Sequence, residues 1–206
     1  MRVLDLGCGS GRDLTSWGVT ASDQVTALDI DNTALLVAKA RFRNRFYVQG
    51  AAERLPFANQ SFDLIVSTVA LPYMDIPKTL VEAFRTLVPG GRLSVSLHPP
   101  GFTIGELLHN ALPKPIATVF RLYVLANGLL LHVTGRTLGF VSGRTESFQT
   151  QRGMRIALNR AGFVSASFRW GTGRFGKTFV VEARRSGSQA SIADTHAADE
   201  LTVVTA

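Results

Sequence analysis

A strand that runs directly into three closely spaced glycines constrains this chain more than any other feature. Val3 to Leu6 read as a short buried strand, and Gly7, Gly9 and Gly11 follow at once, two residues apart. Residues without a Cβ let a backbone turn sharply, adopt positive φ and lie close to a ligand. A strand, a glycine-rich turn and a helix, in that order, is how open α/β sheets build a nucleotide-like site. A dinucleotide site spaces its glycines as Gly-x-Gly-x-x-Gly; here the spacing is Gly-x-Gly-x-Gly and position 12 is Arg. The Gly-Lys-Ser/Thr of a phosphate-cradling loop is absent. With no lysine in the turn, nothing calls for a bound pyrophosphate, and a nucleoside without phosphates fits better. Asp29 stands eighteen residues after Gly11. A carboxylate there points over the sheet edge and can accept hydrogen bonds from two ribose hydroxyls.

The rest of the chain agrees with an open α/β sheet. Strand signals at Val3–Leu6, Gln24–Asp29, Arg45–Gln49, Phe62–Ser67 and Arg92–Leu97 alternate with helix signals at Asp13–Trp17, Asn32–Arg43 and Pro77–Val88. Asn32 is the expected N-cap of its helix, Pro77 suits a first helical turn, and Pro89-Gly90-Gly91 is expected to stop the helix before it. Short connections and repeated βα units predict a parallel sheet with helices on both faces. The rhythm breaks after His98-Pro-Pro-Gly101. Ile116 to Val133 is the most apolar span, and Arg121, Asn127 and Gly128 interrupt it. A membrane span needs about 20 largely uncharged residues, so two short helices over a pocket mouth are expected instead. A helix at Thr150–Arg160 and strands at Phe163–Trp170 and Lys177–Arg184 follow, the last two close enough to pair as a hairpin. From Ser186 the chain is rich in Ser, Ala and Thr and reads as a disordered tail. The domain is thus expected at 1–185, with an insert at 101–140.

Composition narrows the setting. With 206 residues, 46% hydrophobic and 18% charged, the chain suits one globular domain. The single cysteine, Cys8, excludes an internal disulfide framework, and no Cys/His spacing resembles a metal site. No signal peptide is recognisable, so a cytoplasmic location is expected. The net charge is +7, and ten basic residues between Arg136 and Arg185 face only Glu146 and Glu182. Such a surface can attract nucleic acid or an acidic substrate, but arginines also solvate ordinary α/β surfaces, and no RNA-binding motif interleaves them with aromatics.

Six segments taken together resemble the class I S-adenosylmethionine-dependent methyltransferases of the small-molecule type. They are Val3–Gly11; Leu28-Asp29-Ile30-Asp31; Gly50-Ala51-Ala52-Glu53-Arg54-Leu55-Pro56-Phe57; Phe62-Asp63-Leu64-Ile65-Val66-Ser67; Glu82 through Leu93; and Arg160-Ala161-Gly162-Phe163. The resemblance is dense over residues 3 to 97 and loose over 150 to 184. It implies a Rossmann-like, seven-stranded sheet of order 3-2-1-4-5-7-6 with strand 7 antiparallel, and S-adenosyl-L-methionine as cofactor. It also implies roles. Gly7, Gly9 and Gly11 pack under the methionine and ribose parts, and Asp5 holds the turn or reaches the methionine amino group. Asp29 binds the ribose diol and Ile30 lies against the adenine. Ala52 offers its backbone N–H to the ring, and Ser67 lines the methionine portion.

Two departures qualify that picture. Ala51 stands where the family usually has an acid, so one hydrogen bond worth about 0.5–1.5 kcal/mol is lost, and Glu53 or a backbone carbonyl is expected to compensate. The first strand begins at residue 3, where relatives have a preceding helical segment, so the native N-terminus is expected upstream of Met1. Methyl transfer from a sulfonium is an in-line displacement in which placement of the acceptor supplies much of the catalysis. His98, after the fifth strand, is the candidate base, and Tyr73, just after the fourth, the candidate acceptor-lining residue; His109, His132 and Glu106 rank below them. The apolar insert points to an apolar small-molecule acceptor, or else to burial against the sheet or a homodimer contact. Two other functions stay open: methylation of nucleic acid, supported only by charge, since Ser67-Thr-Val-Ala-Leu-Pro-Tyr73 lacks an Asn/Asp-Pro-Pro-aromatic motif; and cofactor binding without turnover.

Overall fold

The computed structural model describes residues 1–97, 115–140, 145–173 and 176–187. Seven strands form one sheet in the order β3-β2-β1-β4-β5-β7-β6, the order implied by the resemblance. Strands β1 (Arg2–Leu6), β2 (Gln24–Asp29), β3 (Phe46–Gln49), β4 (Phe62–Thr68) and β5 (Leu87–Leu97) run parallel. β7 (Gly176–Arg185) lies antiparallel between β5 and β6 (Phe163–Gly173). Val3, Leu4, Ile65 and Val66 are fully buried, as central parallel strands covered on both faces require.

The helices form where sequence periodicity and caps agree, with four corrections. Helix α1 (Asn32–Arg41) is capped by Asp31, not Asn32: the Asp31 carboxylate accepts from the N–H groups of Thr33 (2.8 Å) and Ala34 (3.3 Å), so Asn32 is the first helical residue. The expected helix at Asp13–Trp17 shrinks at its start to one 3₁₀ turn, Thr15–Trp17: Asp13 stays outside it, its carboxylate accepting from the Thr15 N–H at 2.8 Å, and Gly18 in the left-handed region ends it where expected. Helix α2 (Ile76–Thr86) stops before Pro89-Gly90-Gly91 rather than at it. Leu87 already pairs with Phe62, the next pair is Leu64 with Arg92, and the proline and glycines fill the irregularity between them.

The fourth correction concerns the insert. The apolar span is one helix, α3 (Pro115–Thr134), and not two. Gly128 reads as a breaker in the sequence, yet it is needed within the helix: a Cβ there would sit 2.1 Å from the Phe148 ring. One face of α3 buries Val124, Asn127 and Leu131, while Val119, Leu122, Leu129 and Val133 are exposed. Helix α4 (Gln151–Arg160) is capped by Thr150 and packs so close to α3 that a Cβ on Gly153 would meet the Leu131 carbonyl oxygen at 2.8 Å. Among the described residues, no helix is long and apolar enough to cross a membrane. His98, Glu106, His109 and, of the tail expected from Ser186, residues 188–206 lie outside the described residues.

Candidate functional site

The site starts from the backbone of the glycine turn. Gly7 and Cys8 both donate to the Leu28 carbonyl, at 2.8 and 3.0 Å, which ties the turn to the end of β2. Gly7, Gly9 and Gly11 all have positive φ. Their surroundings differ. A Cβ on Gly7 would strike the Ala70 Cβ at 2.4 Å, and one on Gly11 would press on Ala38 and Phe42 of the α1 region at 3.1 and 3.0 Å. Among the described residues nothing stands within 4 Å of where a Gly9 Cβ would lie, so toward them this glycine offers bare backbone.

Asp29 closes the turn from the other side. One carboxylate oxygen accepts from the Gly9 N–H at 2.7 Å and the other from the Asp31 N–H at 2.9 Å. Each oxygen keeps a further lone pair for another donor. The next residue, Ile30, is 71% exposed, an apolar side chain left in water beside a fixed carboxylate. Together they belong to a cleft of about 250 Å³ lined by Gly7, Asp29, Ile30, the 50–53 segment, Ala70, Tyr73 and Met74.

The far wall of the cleft is held by α2. Glu53 does not simply face the cleft: its Oε1 accepts from the Asp75 N–H at 2.9 Å, linking the 50–53 segment to the cap of α2. Glu82 accepts from the Leu55 N–H, and Arg85 donates to the carbonyls of Leu55 and Phe57 and to the Asn59 side chain. A charged fork that satisfies several loop carbonyls fixes a loop that has no ladder of its own. The residues after α3 reach the same wall, with Ser147 N–H donating to the Pro72 carbonyl at 3.2 Å and Thr137 to Asp75 at 3.4 Å.

Behind the turn the electrostatics are unusual. Asp5 is 2% exposed, and no hydrogen bond reaches its carboxylate among the described residues; Arg45 Nη1 stands 3.6 Å from Oδ2, an ion pair too long for a hydrogen bond. Burial raises the Asp5 carboxyl to about 7, against the pull of Arg45 and Arg12 and with a smaller push from Asp29. Burial, then the Asp5 and Asp29 charges, push the Cys8 thiol up to about 12.

The structure therefore brings Gly7, Asp29, Ile30, Ala51, Ala52, Glu53 and Tyr73 to one cleft. Gly9 sits at its rim through the hydrogen bond to Asp29, and Gly11 packs away on α1. Asp5 lies behind the turn, and Ser67 is fully buried on β4 with no hydrogen-bond partner for its hydroxyl among the described residues; neither lines the cleft. His132 bonds Thr150 through Nδ1 at 2.8 Å, at the α3–α4 contact. Sequence reading passed over Met74 and Ala70, which line the cleft, and Glu82, Arg85 and Arg45, which support it. Glu82 and Arg85 fall within a quoted motif and were in that sense within reach; the other three carry no such signal.

Residues 4–95 match a family described as a methyltransferase domain. Over 96 residues the chain is 38% identical to a malonyl-[acyl-carrier protein] O-methyltransferase of Erwinia billingiae, covering 46% of this chain and 38% of that protein. Over 104 residues it is 42% identical to a ubiquinone/menaquinone biosynthesis C-methyltransferase of Psychromonas ingrahamii, covering 46% of this chain and 41% of that one. The match thus spans about two fifths of each relative. A solved S-adenosylmethionine-dependent methyltransferase from Methanosarcina mazei shares the fold, with a TM-score of 0.60 at 20% identity over 91% of this chain and 93% of the other. The match over residues 4–95 and the sheet order agree: this part of the chain is similar to methyltransferase domains, and the chain has the Rossmann-like methyltransferase fold.

Proposed function

We propose that this protein binds S-adenosyl-L-methionine in the cleft at the ends of β1 and β2 and transfers its methyl group to a small, apolar organic acceptor. The observation that carries the reading is the Asp29–Ile30 pair: a carboxylate locked by the Gly9 and Asp31 amides, beside an isoleucine left 71% exposed. That pairing suits a ribose diol next to a flat apolar ring. Open space around Gly9 among the described residues leaves room for the ligand against the backbone. When bound, S-adenosyl-L-methionine supplies a methyl group already activated by its sulfonium.

The chain's own residues do the rest. Asp29 orients the ligand through its remaining lone pairs. Ile30 and the Ala51–Ala52 backbone form the two sides of the ring slot, and Glu53, Glu82 and Arg85 keep the second side in place. Ala51 contributes no acceptor side chain, so the ring is held chiefly by contact and by backbone. Gly7 forms the floor beneath the methionine portion, and Asp5, Gly11 and Ser67 support it from behind. Tyr73 and Met74, the latter packed beside Gly7, are the acceptor-side residues, and placement of the acceptor there supplies the larger part of the rate; His98 is the candidate base for acceptors that need one. Two features support an apolar acceptor: the apolar residues of α3, and the anchoring of the residues after it to Pro72, next to Tyr73. The cell compartment we infer is the cytoplasm.

Calorimetry with S-adenosylhomocysteine tests the cofactor half. Asp29→Ala is expected to weaken binding at least tenfold, about 1.4 kcal/mol, and unchanged affinity would refute the ribose role. A methyl-transfer screen tests the acceptor half. Transfer to quinones or other apolar acceptors is expected, and turnover confined to polar metabolites or to RNA would refute it.

A further inference from the structure

Behind the glycine turn lies a pair of buried charges that the function above does not explain. Asp5 sits in the middle of the sheet, in register with Ala27 of β2 and Val66 of β4. Arg45 comes from just before β3, two strands away, with its side chain 8% exposed. Its guanidinium carbon stands 4.0 Å from the centre of the Phe42 ring. The nearest approach to Asp5 is the 3.6 Å between Nη1 and Oδ2, and neither atom has a hydrogen-bond partner among the described residues.

A buried ion pair is well compensated only when its geometry is close and its remaining donors and acceptors are bonded. This pair meets neither condition. Arg45 is held by its own aromatic seat rather than by Asp5, and it acts on the carboxylate through its field. The carboxylate in turn keeps lone pairs ready for a further donor. A fork with two arms on an aromatic face keeps its place where a lysine would not.

We propose that Arg45 is a positioning residue of the cofactor turn: from its seat on Phe42 it favours the charged form of the buried Asp5 carboxylate beneath the Gly7–Gly11 segment, and so sets how far the medium can be acidified before the turn loses its ligand. The ligand half of this statement rests on the cofactor reading above; the Arg45–Asp5 half does not. The groups acting on Asp5 are Arg45 before β3, Arg12 and Cys8 on the turn, Asp29 at the end of β2 and Tyr47 on β3. Cys8, held up at about 12, and Tyr47, raised by burial, stay neutral near pH 7, so the titration there is that of Asp5.

Two measurements on the intact chain test this. The first follows the side-chain carboxyl carbons of [¹³C]aspartate-labelled, ligand-free protein over roughly pH 5.5 to 8.5, with the Asp5 signal assigned by its loss in Asp5→Asn. The wild-type midpoint is expected near 7, higher by about one unit or more in Arg45→Met, and in between for Arg45→Lys. The second is calorimetry with S-adenosylhomocysteine over the same range. Affinity is expected to fall by about tenfold on the acid side of the carboxyl midpoint, with the fall displaced to higher pH in Arg45→Met and partly restored in Arg45→Lys. An Asp5 midpoint that does not move in a folded Arg45 variant overturns the proposal. So does an equal loss of affinity at every pH, which is what a merely structural arginine would give. Should Arg45→Met fail to fold, Arg45→Lys carries the same comparison. A midpoint that moves while wild type binds no S-adenosylhomocysteine at any pH overturns the cofactor reading, and the ligand half of the proposal with it.

Discussion

Asp5 is buried on folding and gains no hydrogen bond from the described residues in return, and its raised pKa is the consequence. The sign of the stability effect follows. The ordinary value is 3.8 and the folded value about 7, so between them the folded state binds more protons than the unfolded. Stability contributed by this group therefore falls as pH rises through that window and is level above it. Asp5→Asn removes the effect. The stability difference between the variant and wild type is expected to shift in favour of the variant from mildly acidic to mildly alkaline pH, by on the order of 2 kcal/mol, read from urea unfolding. An equal difference at both pH values would contradict it. Cys8, three residues further along and in the turn, is expected to resist iodoacetamide in the native protein at mildly alkaline pH, reacting roughly a hundredfold or more slower than a free thiol; rapid labelling without unfolding would show that burial does not hold it up. The two ends of the site differ in how readable they were. Asp29 announces itself by ending an apolar strand after a glycine turn. Arg45 belongs to the run Arg41-Phe-Arg-Asn-Arg45, which looks like a solvated basic face, and only tertiary placement separates it from its neighbours.

Elements were legible wherever local chemistry had one solution. Each of the seven strands overlaps an expected one, and β1 and β4 were the most legible, because a central parallel strand has to be apolar on both faces. Boundaries were less legible where two residues could do one job. Asp31 and Asn32 are both good caps, and the carboxylate takes the position; Asp31→Ala is expected to cost about 1 kcal/mol and Asn32→Ala much less, by chemical denaturation. Proline and glycines at 89–91 suit a helix stop and a strand irregularity equally well, and the pairing of Leu87 with Phe62 decides for the second. In α3, Gly128 looked like an interruption because its partner, Phe148, lies twenty residues away and cannot be paired with it from sequence. Helix propensity alone would make Gly128→Ala stabilising by up to about 1 kcal/mol. The collision with the Phe148 ring is worth about 1–3 kcal/mol in the other direction, so the variant is expected to be less stable than wild type. A higher melting temperature would show that Phe148 yields easily.

For the molecule as a whole, the sheet order brings the glycine turn at the end of β1, the acid at the end of β2 and the segment after β4 to the same edge. Open α/β sheets place ligands at that edge, where the chain crosses from one side of the first strand to the other. This much could be read from the alternation of strands and helices and from six short motifs. The acceptor could not, because Tyr73, Met74 and the α3 region carry no motif whose spacing names a substrate. Binding at a single folded-state site also stabilises the whole domain. A hundredfold excess of S-adenosylhomocysteine over its dissociation constant adds about 2.7 kcal/mol, expected as a rise in melting temperature of roughly 5–10 °C for a domain of this size; Asp29→Ala should lose most of it at the same concentration. The most direct measurement is a crystal structure of the protein with S-adenosylhomocysteine. The ribose hydroxyls are predicted to lie within hydrogen-bond reach of the Asp29 carboxylate, with the adenine between Ile30 and the Ala51–Ala52 backbone. Ligand found elsewhere, or a cleft filled by the protein's own side chains while the ligand binds in solution, would contradict it.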